Sequence, residues 1–186
     1  IPDSVTRIDY RAFMNCSKLA ECNYPVGWTS AEGGYNLGDT FYDIFAGTLL
    51  KTLEIPEGVK KIPAGAFWGC DNFEYFDLPD SLTQIQSNIF RECTGLTEMV
   101  IPAKVETIGS DAFYGCSGLT SVTLNDGLKT ISSYAFYGCT RLTSIHIPDS
   151  VTRIDYRAFM NCSKLAECNY PVGWTSAEGG YNLGDT

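Results

Sequence analysis

Six of the eight cysteines fall at one recurring place: Cys16, Cys70, Cys93, Cys116, Cys139 and Cys162, with a spacing of 23 residues from Cys70 onward. An even count invites disulfides. If the recurring segments stack, equivalent side chains project in parallel, which opposes the geometry of a bridge. Zinc sites take their cysteines in close pairs, and a spacing of 23 is far too wide. These cysteines are therefore expected as free, buried thiols that pack as small apolar groups. Cys22 and Cys168 stand where related segments carry Phe76, Met99, Val122 and Ile145, again a core place.

His146 is the only histidine, and Ser144 and Asp149 lie near it. A catalytic relay needs each partner within hydrogen-bond reach. Residues two apart on one strand face stand too far apart for that, so an exposed surface histidine is expected. Acids gather at Glu54, Glu57, Glu74, Asp77, Asp80 and Glu98. Stacked carboxylates could hold calcium, which takes several oxygen ligands, but the chain has no EF-hand loop. A solvated acidic face is the expectation, and no cofactor is implied.

What must position these residues is a repeat. Ile55-Pro56, Leu78-Pro79, Ile101-Pro102, Leu124-Asn125 and Ile147-Pro148 recur every 23 residues. Within each interval the template returns as Ala66-Phe67-x-Gly69-Cys70, Ile89-Phe90-x-x-Cys93, Ala112-Phe113-x-Gly115-Cys116, Ala135-Phe136-x-Gly138-Cys139 and Ala158-Phe159-x-x-Cys162. A longer period lies over it, because residues 1–40 and 147–186 are identical, an offset of 146. The chain divides as 1–23, 24–54, 55–77, 78–100, 101–123, 124–146, 147–169 and a partial coil 170–186 in one domain. Coil 24–54 carries an eight-residue surplus in a Gly-rich stretch, Trp28 to Phe41. Neither end has an atypical capping coil and residue 1 is Ile, so a window on a longer array is expected, with ends open to end-to-end self-association.

Numbered from its Ile-Pro, each coil is apolar at positions 1, 5, 8, 12, 13, 16, 19 and 22. The alternation at positions 22 and 1 predicts a strand with one face buried. Proline at position 2 ends it. Positions 5 and 8 predict a second short extended piece. Ala-Phe at 12 and 13, with Gly or Asn at 15, predicts one helical turn closed by a left-handed residue. One coil cannot bury its apolar side alone, so the coils must stack into a solenoid. The rows Phe67, Phe90, Phe113, Phe136, Phe159 and Cys70, Cys93, Cys116, Cys139, Cys162 become core ladders.

The motif Ile-Pro-x-x-Val-x-x-Ile-x-x-x-Ala-Phe-x-x-Cys-x-x-Leu resembles the BspA-like subclass of leucine-rich repeat proteins, over essentially the whole chain. The resemblance implies a strand-rich leucine-rich repeat superhelix of the α/β class. A parallel sheet would form one face, and short extended or helical turns the other. It also implies a bacterial or protist surface protein, secreted or held at the cell surface, often an adhesin binding host proteins. It transfers no catalytic residue. Position 4 carries Ser4, Gly58, Ser81, Lys104 or Gly127 instead of the Asn of the ribonuclease-inhibitor type, so no asparagine ladder is expected.

Charge narrows the partners. Thirteen Lys and Arg against 22 Asp and Glu give a net charge of −9. Nucleic acid and anionic lipid call for clustered cations, and no apolar run reaches the length of a membrane helix. The outward strand positions 20, 21 and 23 form the face that could meet an extracellular or host protein or a glycan. Glu54, Glu74, Tyr75, Asp77, Glu98, Ser121, Ser144 and His146 lie there, with Tyr75 the natural anchor. Trp28 and Tyr35 of the long coil are the other candidates, since solenoid insertions often emerge as loops. Trp28 also falls at template position 5, where it would fill the core. A polysaccharide lyase would need a basic strip beside the acids, which is missing. Asn15-Cys16-Ser17 and Asn161-Cys162-Ser163 match the glycosylation sequon, a chance match if the cysteine is buried. The expected function is binding or adhesion; the alternative is a stiff spacer in a larger surface protein.

Overall fold

The structure, a computed structural model, describes residues 1–29 and 43–169. In chain order the strands are β1 (Gln84–Ile85), β2 (Glu98–Val100), β3 (Thr107–Ile108), β4 (Ser121–Thr123), β5 (Thr130–Ile131), β6 (Ser144–Ile145), β7 (Arg153–Ile154) and β8 (Glu167–Cys168). All pairing is parallel. The sheet β1-β3-β5-β7 collects positions 7 and 8 of successive coils, while β2-β4 and β6-β8 collect positions 21 to 23. Every register step is one repeat, as in Ile85↔Ile108 and Met99↔Val122. The second extended piece thus builds a sheet of its own, opposite the one expected from positions 22 and 1. Side chains alternate across both: Ile85, Ile108, Ile131 and Ile154 point into the core, as do Met99, Val122 and Ile145.

The Ala-Phe segment is a turn rather than a helix, and no helix occurs among the described residues. An α-helix would send each N–H four residues back along its own segment. Here alternate N–H groups leave the coil. Asp111, Phe113 and Gly115 donate to the carbonyls of Ser133, Ala135 and Tyr137 in the next coil, at 3.0, 2.8 and 2.7 Å. Between them Ala112, Tyr114 and Cys116 bond three residues back, at 3.3, 3.1 and 3.2 Å. The turns therefore form a third ladder, and each coil is fastened to its neighbour along three lines.

Two left-handed residues per coil set up that alternation. Position 15 was expected to be left-handed, and is: Asn15, Gly47, Gly69, Gly115, Gly138 and Asn161 have φ between 58° and 71°. Position 11 is left-handed too, at Arg11, Asp43, Gly65, Asn88, Asp111, Tyr134 and Arg157. Glu92 occupies position 15 at φ 60°, where a Cβ crowds the following carbonyl. Glu92→Gly is expected to raise stability by about 0.5–1 kcal/mol, the steric relief outweighing the extra chain entropy of glycine. A urea unfolding series checks it; a loss of stability would mean that the Glu92 side chain holds the turn.

Inside the three ladders lies a column of rings. Phe13 and Phe45 stack at 5.2 Å, and Phe67–Phe90, Phe90–Phe113, Phe113–Phe136 and Phe136–Phe159 follow at 5.6, 5.5, 5.1 and 5.3 Å. Phe73 and Phe76 thicken the column beside Phe67.

Candidate functional site

Two rows of side chains run along the outside of β2, β4, β6 and β8. Tyr75, Glu98, Ser121 and Ser144 form the position 21 row; Glu54, Asp77, Val100, Thr123 and His146 form the position 23 row. All are exposed, and Leu53, Phe76, Met99, Val122 and Ile145 between them are buried. The pleat enforces this, since successive side chains on a strand take opposite faces. Lateral neighbours come from consecutive coils, as Glu98↔Ser121 and Val100↔Thr123. Position 20 pins the ribbon's edge: the Thr97 and Thr120 hydroxyls donate to the carbonyls of Glu74 and Thr97, at 3.0 and 2.9 Å. The structure thus brings seven of the expected surface residues into these two rows, with Glu74 exposed beside them at position 20.

The ribbon is uneven. A hollow of about 380 Å³ opens between Tyr75, Asp77, Asp80, Glu98, Val100 and Pro102. Tyr75 is 48% exposed and Val100 63%, so two large apolar side chains meet solvent beside three carboxylates. A second hollow of about 510 Å³ lies toward the first coils, lined by Glu21, Leu49, Thr52, Glu54 and the Lys51–Glu74 pair. Lys51 donates to Glu74 at 2.7 Å, and that bond holds its ammonium above its ordinary pKa. Coils 101–123 and 124–146 carry hydroxyls and His146 in place of acids, and an acid returns at position 21 with the exposed Glu167 of β8.

Ser144 and His146 sit two residues apart on an extended stretch, about 6.6–6.8 Å by strand rise. Among the described residues no three His, Cys, Asp or Glu side chains converge on a common metal position.

The cysteines do more than fill space. All eight are free. Cys93, Cys116, Cys139 and Cys162 each donate S–H to the carbonyl of the phenylalanine one coil back, Phe67, Phe90, Phe113 and Phe136, at 3.0, 3.0, 3.3 and 3.1 Å. Burial pushes the thiols of Cys70, Cys116 and Cys139 well up. Cys16 departs from the expected burial and is exposed; Cys22 and Cys168 are half-buried. In place of an asparagine ladder, the Ser81 and Ser150 hydroxyls donate across coils to Val59 and Leu128, at 2.8 and 2.7 Å.

Trp28 is a correction. It is 1% exposed and sits edge-on to Phe45 and Phe67, at 6.2 and 6.3 Å. It fills the core at position 5 and offers no surface contact. Tyr35 lies outside the described residues.

A second ribbon, on the turn side, escaped the sequence reading. The Arg91 guanidinium lies between the rings of Trp68 and Tyr114, 4.8 and 3.8 Å from their centroids. Tyr114 stacks on Tyr137 at 4.7 Å, and Tyr134 stands edge-on to Tyr137 and Tyr156. Arg91 also pairs with Asp111, whose carboxyl burial raises and Arg91 lowers in part. The signal was present: Trp68, Arg91, Tyr114 and Tyr137 are spaced by 23 at position 14.

Three parallel ladders around an aromatic column, with polar side chains presented outward, define a leucine-rich repeat scaffold. The model for the BspA type leucine rich repeat region matches in six copies over residues 1–35 and 41–166, and the chain belongs to that family. A leucine rich cell surface protein from Faecalibacterium prausnitzii is 34% identical with a TM-score of 0.69, over 88% of this chain and 42% of its own. A leucine-rich repeat protein from Eubacterium ventriosum is 26% identical with a TM-score of 0.74, over 97% of this chain and 46% of its own. The leucine rich repeat protein of T. pallidum is 27% identical with a TM-score of 0.68, over 87% of this chain and 72% of its own. The chain thus spans less than half the length of the first two structures. No curated protein sequence matches it.

Proposed function

We propose that the chain is a binding module of a secreted or cell-surface protein, and that it meets its partner on the ribbon around Tyr75. The observation that carries this reading is the hollow where Tyr75 and Val100 stand exposed beside Asp77, Asp80 and Glu98. Exposed aromatic and aliphatic anchors with a charged rim are what protein interfaces use. The acids select against polyanions and favour an extracellular protein, with a glycan as the other possible partner. The cell-surface description of the Faecalibacterium protein supports the location. The match to the BspA type repeat family supports a non-enzymatic reading.

A spacer reading is favoured by one observation. The duplicated sequence makes the same link at both of its occurrences: the Asn23 carboxamide holds both backbone groups of Ile1, and Asn169 does the same to Ile147. A spacer lengthens by adding such modules. The two readings part in a binding screen against extracellular proteins and glycans, run with the wild type and with Tyr75→Ser/Glu98→Ser/His146→Ser. A binder gives a specific hit that the triple variant loses. No hit, or a hit indifferent to the substitutions, sinks the binding reading.

A further inference from the structure

We infer that the hollow beside Tyr75 takes an arginine side chain presented by the protein partner, an inference that rests on the ribbon being the binding face. Four exposed side chains stand there as the corners of a rectangle. Tyr75 and Glu98 hold the same position in consecutive coils, and so do Asp77 and Val100. Along each coil the two corners are about 6.6 Å apart, and the coils are about 4.8 Å apart. One diagonal, Tyr75 to Val100, is therefore apolar, and the other, Asp77 to Glu98, is anionic. Asp80 and Pro102 complete the lining of this hollow of about 380 Å³. Arginine is divided in the same way, into an apolar stem and a planar cationic fork. Its stem lies along Tyr75 and Val100 while the fork reaches the carboxylates of Asp77 and Glu98.

Charge complementarity selects this guest. Among the described residues no Lys or Arg pairs with the carboxylates of Asp77, Asp80 or Glu98. Lys51, on the same face, is taken by Glu74 at 2.7 Å. The Glu57 carboxylate is engaged too, accepting the Asp80 backbone N–H at 3.1 Å. The turn side shows the completed form of the same arrangement. There the Arg91 guanidinium lies between the rings of Trp68 and Tyr114 and pairs with Asp111. On that side the chain supplies ring, carboxylate and cation together. On the ribbon it supplies ring and carboxylates, and the cation comes from the partner. An exposed ion pair alone binds weakly. The ring and Val100 add the stacking and the apolar cover that make such a pair count. Lysine fits less well, because its compact ammonium holds water more strongly and cannot bridge two carboxylates as a fork does.

An amide NMR titration of the full chain with N-acetyl-arginine methylamide, at physiological salt, tests this. The citrulline counterpart keeps the shape without the charge, and the lysine counterpart keeps the charge without the fork. Saturable shifts should gather on Tyr75, Asp77, Asp80, Glu98 and Val100. The citrulline probe should bind roughly tenfold more weakly, with lysine between the two. Tyr75→Phe should keep the arginine response. Tyr75→Ser, which leaves every carboxylate in place, should lose most of it, and so should Asp77→Asn. Glu106→Gln, beside β3 on the other sheet, should change nothing. Equal binding of arginine and citrulline would overturn the inference, as would no response in the hollow. So would shifts spread over every acidic residue and indifferent to Tyr75→Ser, since that marks a diffuse ionic response. None of these results touches the binding reading itself, which falls only when the screen yields no partner that the ribbon substitutions lose.

Discussion

Stability is expected to fall steeply once the pH passes about 9, by roughly 4 kcal/mol for each further pH unit. The cause is the thiol ladder. Cys70, Cys116 and Cys139 sit in the core with their pKa values well above the ordinary 9.0 of the unfolded chain. Below 9 the thiol is protonated in both states and the stabilisation is complete. Above 9 the unfolded chain releases protons that the folded chain keeps, so unfolding gains about 1.4 kcal/mol per thiol per pH unit until the folded values are reached. Cys168, pushed to about 11, adds a smaller part between 9 and 11, whereas Cys162, lowered by its hydrogen bond with Cys139, adds none. Urea midpoints in reducing buffer at about pH 8, 9 and 10 read the slope. Cys116→Ala should remove roughly a third of it. Stability unchanged to about pH 10 would show that the thiols reach water in the folded state.

Phe113→Ala should cost about 3–5 kcal/mol, as truncation of a fully buried ring does. Phe113 is enclosed on both sides, 5.5 Å from Phe90 and 5.1 Å from Phe136, with rings 14° and 3° from parallel. Its backbone N–H and carbonyl are fixed by Ala135 and Cys116, so the coil cannot close over the gap by sliding. The same truncation at Phe13 should cost less, because that ring is half-buried and, among the described residues, stacks on Phe45 on one side. Equilibrium unfolding of both variants checks the order. Equal losses would mean that the column does not work as a stack.

The two periods, the core rows and the outward rows were all legible in the sequence, because each depends on apolar spacing alone. Ile85, Ile108 and Ile131 had to face inward once their period was recognised, and Tyr75 and Glu98 outward. Other features follow from the backbone, which residue type reports poorly. The left-handed position 11 carries turn formers at Asp43, Gly65, Asn88 and Asp111, but Arg11, Tyr134 and Arg157 fill it elsewhere and break the signal. The helical turn was read from Ala-Phe and a closing glycine, yet alternate left-handed residues send its N–H groups to the next coil instead. The cysteines were read as apolar fillers, which hides their role as donors to Phe carbonyls. Trp28 carried two readings, surface anchor and core filler, and burial beside Phe45 selects the second.

The central claim is that the partner meets the ribbon around Tyr75. For a partner found in the screen, the dissociation constants of the wild type, Tyr75→Ser and the turn-side variant Tyr137→Ser test it directly. The account predicts at least a tenfold weakening for Tyr75→Ser, the scale of an interface anchor, and wild-type affinity for Tyr137→Ser. Unchanged affinity for Tyr75→Ser with a loss for Tyr137→Ser would contradict it and move the site to the turn side.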